Sequence, residues 1–383
     1  MKFLDKHIFR RCMSLTLAGA MVLSLSACDV SSSDGTDGDA AAEMTSAELV
    51  ADMGAGWNLG DTLDVCVADR DGDGIVNEEP AEGEAVDETL WGNVETTSAL
   101  FEHLKADGIQ SIRIPVTWRD HLDENNQVDE DWMNRVQEVV NYAYDLGLYV
   151  ILNVHHDGGG DPDFGAWIRT GEAGFSEVEE KYITLWEQIA ETFQDYDEHL
   201  VFESMNEVGF EDYTDLDTAY TMLNTLNQDF VDLVRESGGN NATRHLLIAG
   251  YWTDITMTCD ARFVMPEDPA EHLILSVHYY TPYQFCITGE NSTWGSDSEI
   301  SQMTSLIEKL NDTFVSKGVP VIVGEYGMVS SDAESRILFS QTLTELCTAY
   351  GIAAFFWDNG SEYDRENLCW RTEGLVEAIV AGS

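Results

Sequence analysis

Glu207 closes the run VFESMNE and Glu325 closes PVIVGE, two short Val/Ile/Phe-rich stretches bounded by Gly or polar residues. Each reads as a buried strand that delivers a carboxylate at its C-terminal end. One Glu in such a place is ordinarily a solvated loop residue. Two of them, each in a cluster of further polar and aromatic groups, are a candidate pair for acid, base and nucleophile chemistry. Opposed carboxyls about 5–5.5 Å apart suit cleavage of an acetal bond in two steps, one attacking the anomeric carbon while the other protonates the leaving oxygen; a wider gap suits direct displacement by water. In the two-step case the pKa values must differ, and Arg113 and Tyr280 are the candidates to hold the nucleophile ionised.

Eight apolar runs at near-regular intervals carry these residues: 53–58, 109–115, 147–154, 199–205, 245–250, 272–278, 319–325 and 352–357. Helical patterns lie between them. Ser176 to Phe193 has Ser176 and Glu179 as an expected capping box, with Val178, Tyr182, Ile183, Trp186, Ile189 and Phe193 on one face. The patterns 95–106, 132–146 and 299–317 stop at or just before Gly108, Gly147 and Gly318. Strands alternating with helices imply an α/β fold with a parallel sheet, and eight units favour a closed (β/α)8 TIM barrel forming a single catalytic domain over 47–383.

At the strand ends stand Asn58, Arg113, His155-His156-Asp157, Asn206-Glu207, Tyr251-Trp252, His278-Tyr279-Tyr280, Glu325-Tyr326 and Trp357-Asp358. All converge on the C-terminal mouth, where barrels of this kind do their chemistry. Arg113, inside an apolar strand, needs a partner. Trp118, Trp167, Trp252 and Trp294 read equally as sugar-stacking platforms and as packing. His155-His156-Asp157 offers metal ligands, but the first strand lacks a His-x-His to complete a catalytic metal site.

The chain has 383 residues and a formal net charge of −52. Such a surface repels nucleic acid and anionic lipid, so neither is an expected partner, and the charge suits a saline or calcium-bearing medium. With 44% hydrophobic residues and ten Trp, the body is not a disordered chain. Residues 1–27 read as an export signal: Lys2, Lys6, Arg10 and Arg11 precede a short apolar stretch ending in Leu25-Ser26-Ala27-Cys28, which resembles a bacterial lipobox. Cleavage before Cys28, a lipid anchor on that thiol and a flexible acidic, Ser-rich tether over 28–46 are expected, with the protein exported and held at the cell envelope or else secreted. Cys66, Cys259, Cys286, Cys347 and Cys369 remain in a setting that permits disulfides, and the loops carrying Cys259 and Cys286 are placed to meet. A monomer is expected.

Asp69, Asp71, Asp73 and Asn77 in DRDGDGIVN match positions 1, 3, 5 and 9 of a calcium loop, with Pro80 where the bidentate Glu belongs. The loop reads either as a structural calcium site or as an acidic solvated loop.

GWNLGDTLD (56–64), ETLWGN (88–93), IRIPVTW (112–118), LNVHHD (152–157), FESMNE (202–207), VHYYTPYQF (277–285), VGEYG (323–327) and FFWDNG (355–360) together resemble glycoside hydrolase family 5, most closely its subfamily 4 of endo-β-1,4-glucanases. The resemblance implies Glu207 as acid/base, Glu325 as nucleophile, Asn206 on the sugar 2-hydroxyl, and Arg113 and Tyr280 beside the nucleophile. It also implies His155 and His278 as active-site histidines and Trp357 under the sugar at the cleavage point. Asn58, His156 and Trp252 complete the expected substrate-binding set. It further implies a retaining mechanism without a catalytic cofactor and a β-glucan polysaccharide as substrate; xyloglucan, mixed-linkage glucan, xylan or mannan are alternatives, as is a non-catalytic polysaccharide-binding barrel. Asp61 stands where the subfamily usually has Asn, and Val208 where it usually has Pro.

Overall fold

A computed structural model describes residues 44–67, 86–158, 166–330 and 332–383. The export signal, Cys28, almost all of the tether and the calcium-loop residues Asp69, Asp71, Asp73 and Asn77 lie outside the described residues.

Strands β1 (Gly56–Leu59), β2 (Ser111–Ile114), β3 (Tyr149–Asn153), β4 (Leu200–Glu203), β5 (Leu246–Asp254), β6 (Leu273–Tyr279), β7 (Val321–Tyr326) and β8 (Ala353–Asp358) follow the eight apolar runs. They pair in sequence order, and β8 returns to β1 to close a parallel barrel. A two-stranded ribbon, β9 (Tyr363–Asp364) with β10 (Cys369–Trp370), follows β8.

The strands switch character along their length. Tyr149 and Ile151 of β3, Val201 of β4, Leu247 of β5, Ile274 of β6, Ile322 of β7 and Phe355 of β8 form one buried apolar cluster. Helix α1 (Ser46–Asp52) adds Leu49 and Val50, with Met53 just after it. Two residues further on, on the same face by the period-two alternation of a strand, come Asn153, Glu203, Ser276 and Trp357. The barrel is thus filled with hydrocarbon at its N-terminal end and lined with polar groups at its C-terminal end. Thr45 and Glu48 form a capping box on α1, so folded structure starts slightly before Ala47.

Strict alternation would not aim Glu325 inward, because Ile322 already faces the barrel interior. The register steps from Val277↔Val323 to His278↔Glu325, so β7 carries one extra residue, Gly324. That bulge turns Glu325 back toward the interior beside His278. A Cβ at Gly324 would lie 3.0 Å from Ser276 Oγ, 3.5 Å from His278 Nε2 and 3.6 Å from Glu203 Oε1, so the backbone there has little room for a side chain.

The outer layer comprises α2 (Ser98–Ala106), α3 (Glu130–Tyr144), α4 (Phe175–Thr192), α5 (Leu216–Glu236), α8 (Asp297–Thr313) and α9 (Ala333–Ala349). Short helices α6 (Ile255–Thr258) and α7 (Tyr283–Cys286) follow β5 and β6, and α10 (Leu375–Ala381) ends the chain. Gly108, Gly147 and Gly318 take positive φ where the preceding helical segments end, as expected. The capping box expected at Ser176 and Glu179 is not formed. Helix α4 starts at Phe175 behind Gly174 with no side-chain cap. Glu179 instead interacts with Asp229 of α5, whose carboxyl is pushed up to about 6 by burial and then by Glu179. Cys259 and Cys286 are free thiols rather than a pair. Cys259 Sγ lies 3.9 Å from the Lys309 carbonyl on α8, while Cys286 is buried in α7.

Candidate active site

Arg113 is fully buried and organises the mouth of the barrel. Its Nε donates to Glu203 Oε2 at 2.7 Å, Nη1 to Glu325 Oε1 at 2.6 Å and to Asn58 Oδ1 at 3.0 Å, and Nη2 to Asn206 Oδ1 at 2.9 Å. Burial opposes the charge on this guanidinium, but Glu203 and Glu325 outweigh it and hold Arg113 firmly protonated. Asn58 is itself fixed by donating Nδ2 to the Gly324 carbonyl at 2.9 Å.

The two candidate carboxylates sit in unequal settings. Glu325 has a side chain only 6% exposed; besides Arg113 on Oε1, it accepts the Tyr280 hydroxyl on Oε2 at 2.9 Å. The Tyr280 phenol is kept protonated well above its usual range by burial and then by Glu325, so it serves as a donor. Glu207 is 40% exposed, and beside it lies His278, whose Nδ1 is 2.8 Å from Glu207 Oε1 and 3.5 Å from Glu325 Oε2. One carboxylate oxygen of Glu207, one of Glu325 and a ring nitrogen of His278 all lie within 4.8 Å of one another.

His155 joins this network through Asn153. Asn153 Oδ1 accepts the Val116 N–H at 3.1 Å, so its Nδ2 faces both Glu203 Oε2 at 2.9 Å and His155 Nδ1 at 3.1 Å. Nδ1 must therefore accept, which puts the proton of the neutral ring on Nε2. Burial, then the neighbouring His156 and Arg113, hold His155 neutral. Its ring stacks on Trp357 with centroids 5.8 Å apart. His156 lies edge-on to His155 at 4.6 Å and near Trp91 at 5.7 Å.

Sequence reasoning missed Glu203, Asn153 and Ser276. Glu203 is buried and accepts from Arg113, Asn153 and Ser276 Oγ, the last at 2.7 Å. The signal was present: an acid inside the run HLVFESM, and an arginine in β2 that required a partner. Two of the four tryptophans weighed as platforms are packing. Trp118 and Trp294 are buried, with Trp118 Nε1 on the Asn153 carbonyl and Trp294 against Phe339. Trp167 is half-buried, its Nε1 donating to Asp157 Oδ1 at 2.6 Å and Lys181 lying 4.5 Å from its ring centroid. Trp252 is half-buried beside Gly209.

A metal does not fit the histidine pair. Asp157 accepts the Trp118 N–H on one oxygen and Trp167 Nε1 on the other. Asp64 does approach His155 and His156, but its two oxygens accept the Asp61 and Thr62 N–H groups, at 3.0 and 2.6 Å, and Asn153 commits Nδ1 of His155.

Behind Trp357 lies an acidic knot of Asp61, Asp64 and Asp358, clamped by Arg365, which donates to the Gly60 and Asp358 carbonyls at 2.7 Å each. Asp64 is pushed up to about 7, by burial and then by Asp61. Half-buried Asp61 is pushed up to about 6 by burial, against the pull of Arg365. Between its unfolded value of 3.8 and about 6 the folded chain holds a proton on Asp61 that the unfolded chain has lost. That contribution is fully present at the acid end and is gone above about pH 6. Asp61→Asn is accordingly expected to reduce the fall in melting temperature as pH rises across this window, measured by thermal melts of both proteins; parallel curves would remove Asp61 from the account.

Residues 73–363 match the cellulase family, glycosyl hydrolase family 5. The chain is 34% identical over 380 residues to Endoglucanase A of Paenibacillus barcinonensis, covering 88% of this chain and 90% of the relative. Among solved structures, it is similar to the Glycoside Hydrolase 5 Lichenase from Caldicellulosiruptor sp. F32 in complex with cellotetraose (TM-score 0.80, 31% identity, 88% of this chain and 95% of that one). It is likewise similar to a GH5-4 broad specificity endoglucanase from an uncultured bovine rumen ciliate (TM-score 0.79, 37% identity, 89% and 98%).

Proposed function

The chain belongs to glycoside hydrolase family 5, among relatives of subfamily 4, and on that footing we propose that it is an endo-acting β-1,4-glucanase that cleaves with retention of configuration. The observation that carries the reading is the carboxyl pair. Oxygens of Glu207 and Glu325 within 4.8 Å of each other fit the narrow separation of retaining enzymes and leave little room for the water an inverting enzyme needs, at about 6.5–9.5 Å.

Glu325, ionised between Arg113 and Tyr280, attacks the anomeric carbon while Glu207 gives its proton to the leaving oxygen. The product is an ester between the sugar and Glu325. Glu207, now a carboxylate, takes a proton from water, the water oxygen bonds to the anomeric carbon, and Glu325 leaves with the electron pair. Two inversions give net retention. His278, bridging the two carboxylates, keeps them in register. Asn206 spends Oδ1 on Arg113, which leaves its Nδ2 to donate to the sugar 2-hydroxyl. Trp357 supplies the floor for the sugar at the cleavage point, with the His155 ring stacked beside it. The chain's own residues supply every group these steps use.

The reading extends to place. Residues 1–27 would be removed, and lipidation of Cys28 would hold the catalytic domain at the cell envelope through the 28–46 tether. A calcium held by Asp69, Asp71, Asp73 and Asn77 would be structural and would take no part in the chemical steps.

The test is reducing-end release from carboxymethylcellulose, mixed-linkage β-glucan, xyloglucan, xylan and mannan, with proton NMR of the first product formed. Rapid chain shortening of one or more β-1,4-linked glucans, with the β-anomer appearing first, is expected. The α-anomer first would end the retaining mechanism, and silence on every polymer from folded protein would favour a polysaccharide-binding barrel.

A further inference from the structure

We infer that Glu211 is a positioning residue that holds Trp252 as a stacking platform for the leaving-group side of the substrate; this rests on the hydrolase reading above. The β5–β6 register breaks between Ala249 and Asp254, and within the break Trp252 and Thr253 have φ of 53° and 48°. A bulky indole and a β-branched side chain seldom adopt that conformation, and it persists only where neighbours enforce it.

The neighbours that enforce it belong to the segment carrying Glu207. The Trp252 N–H donates to the Val208 carbonyl at 2.9 Å. Its indole Nε1–H donates to Glu211 Oε1 at 2.5 Å, and the Tyr251 hydroxyl donates to Glu211 Oε2 at 2.5 Å. The Tyr251 oxygen in turn accepts the Phe210 N–H at 3.1 Å, and its ring stacks on Tyr220 at 3.9 Å. The indole edge lies so close to Gly209 that a Cβ there would be 2.2 Å from Nε1. One carboxylate therefore pins two aromatic residues of β5 to the backbone just beyond the group that protonates the leaving oxygen.

The leaving sugar must pass Glu207, and Trp252 is a half-buried aromatic surface bound to that same segment. Plain packing does not call for a strained backbone and a charged hydrogen bond to the indole edge. A platform whose tilt must be fixed does, since sugar stacking depends on ring orientation.

The test compares kcat/KM for cellotetraose with that for β-cellobiosyl fluoride, whose leaving group has no ring to stack. Glu211→Ala is expected to lower the ratio of the two about tenfold, mainly through KM for cellotetraose, in a protein whose melt shows it folded. Glu211→Gln keeps an oxygen for the indole and should recover most of the ratio. On a Trp252→Phe background, which removes the donor, Glu211→Ala should add nothing. Equal losses on both substrates, an unchanged ratio, or a full further loss on the Phe background would each overturn the inference. An unchanged ratio in Trp252→Ala would overturn the platform while fluoride turnover still upheld the hydrolase. No fluoride turnover by the wild type would overturn the hydrolase reading, and this one with it.

Discussion

Glu325→Gln is expected to lower kcat on a soluble β-glucan by about 10⁴-fold or more, the scale on which removal of an essential nucleophile is felt. The fold should survive, because the amide keeps an oxygen for Arg113 and Glu203 still neutralises the guanidinium. Glu207→Gln should behave differently. General acid help is worth about 10²–10⁴-fold, and it matters least for a leaving group that departs without a proton. With β-cellobiosyl fluoride the first step should therefore proceed in Glu207→Gln and stall at the ester. Azide, which needs no base, should release it as the β-glycosyl azide. Steady-state rates with and without azide check both statements; azide rescue of Glu325→Gln to the β-product would exchange the two roles.

The second large effect concerns stability. Arg113→Ala would leave Glu203 fully buried and Glu325 nearly so, without the cation between them. Breaking a buried pair from one side costs about 3–5 kcal/mol, because the remaining charge has no compensation. A loss of that size should appear in urea unfolding near neutral pH. It should shrink as pH falls, because Glu203 in the variant can take up a proton in the fold that the unfolded chain does not hold until about pH 4.3. A pH-independent loss would assign the effect to lost packing instead. Arg113→Lys should rescue little, since one ammonium cannot reach Glu203, Asn58, Glu325 and Asn206 in the planar fork they share.

The barrel was legible because each strand is a short apolar run ending in a polar cluster, and the runs repeat at a spacing that fits one strand and one helix. The gathering of these side chains at one mouth was legible because Arg113, Asn206, His278 and Tyr280 flank the two glutamates at strand ends. Glu203 was not, because a charged residue inside an apolar run shows its purpose only when its partner two strands away is known. The inward turn of Glu325 was not, because a bulge is a mismatch between two strands and β7 alone does not contain it. The absent cap on α4 has a different origin: Ser176 and Glu179 carry the right spacing, but the helix starts at Phe175, so Ser176 already lies inside its first turn. Trp118 and Trp294 look no different in the sequence from Trp252; only depth separates them.

The extra residue in β7 has a consequence for anyone who would retailor this enzyme. The aim of Glu325 is set by how many residues lie between Val323 and Tyr326, and by the absence of a side chain at Gly324. Deleting one residue there would swing Glu325 toward the helix layer while every other strand stayed in place. The segment after Tyr326 lies outside the bulge and does not set that aim. The four-residue stretch before it has to be transplanted whole.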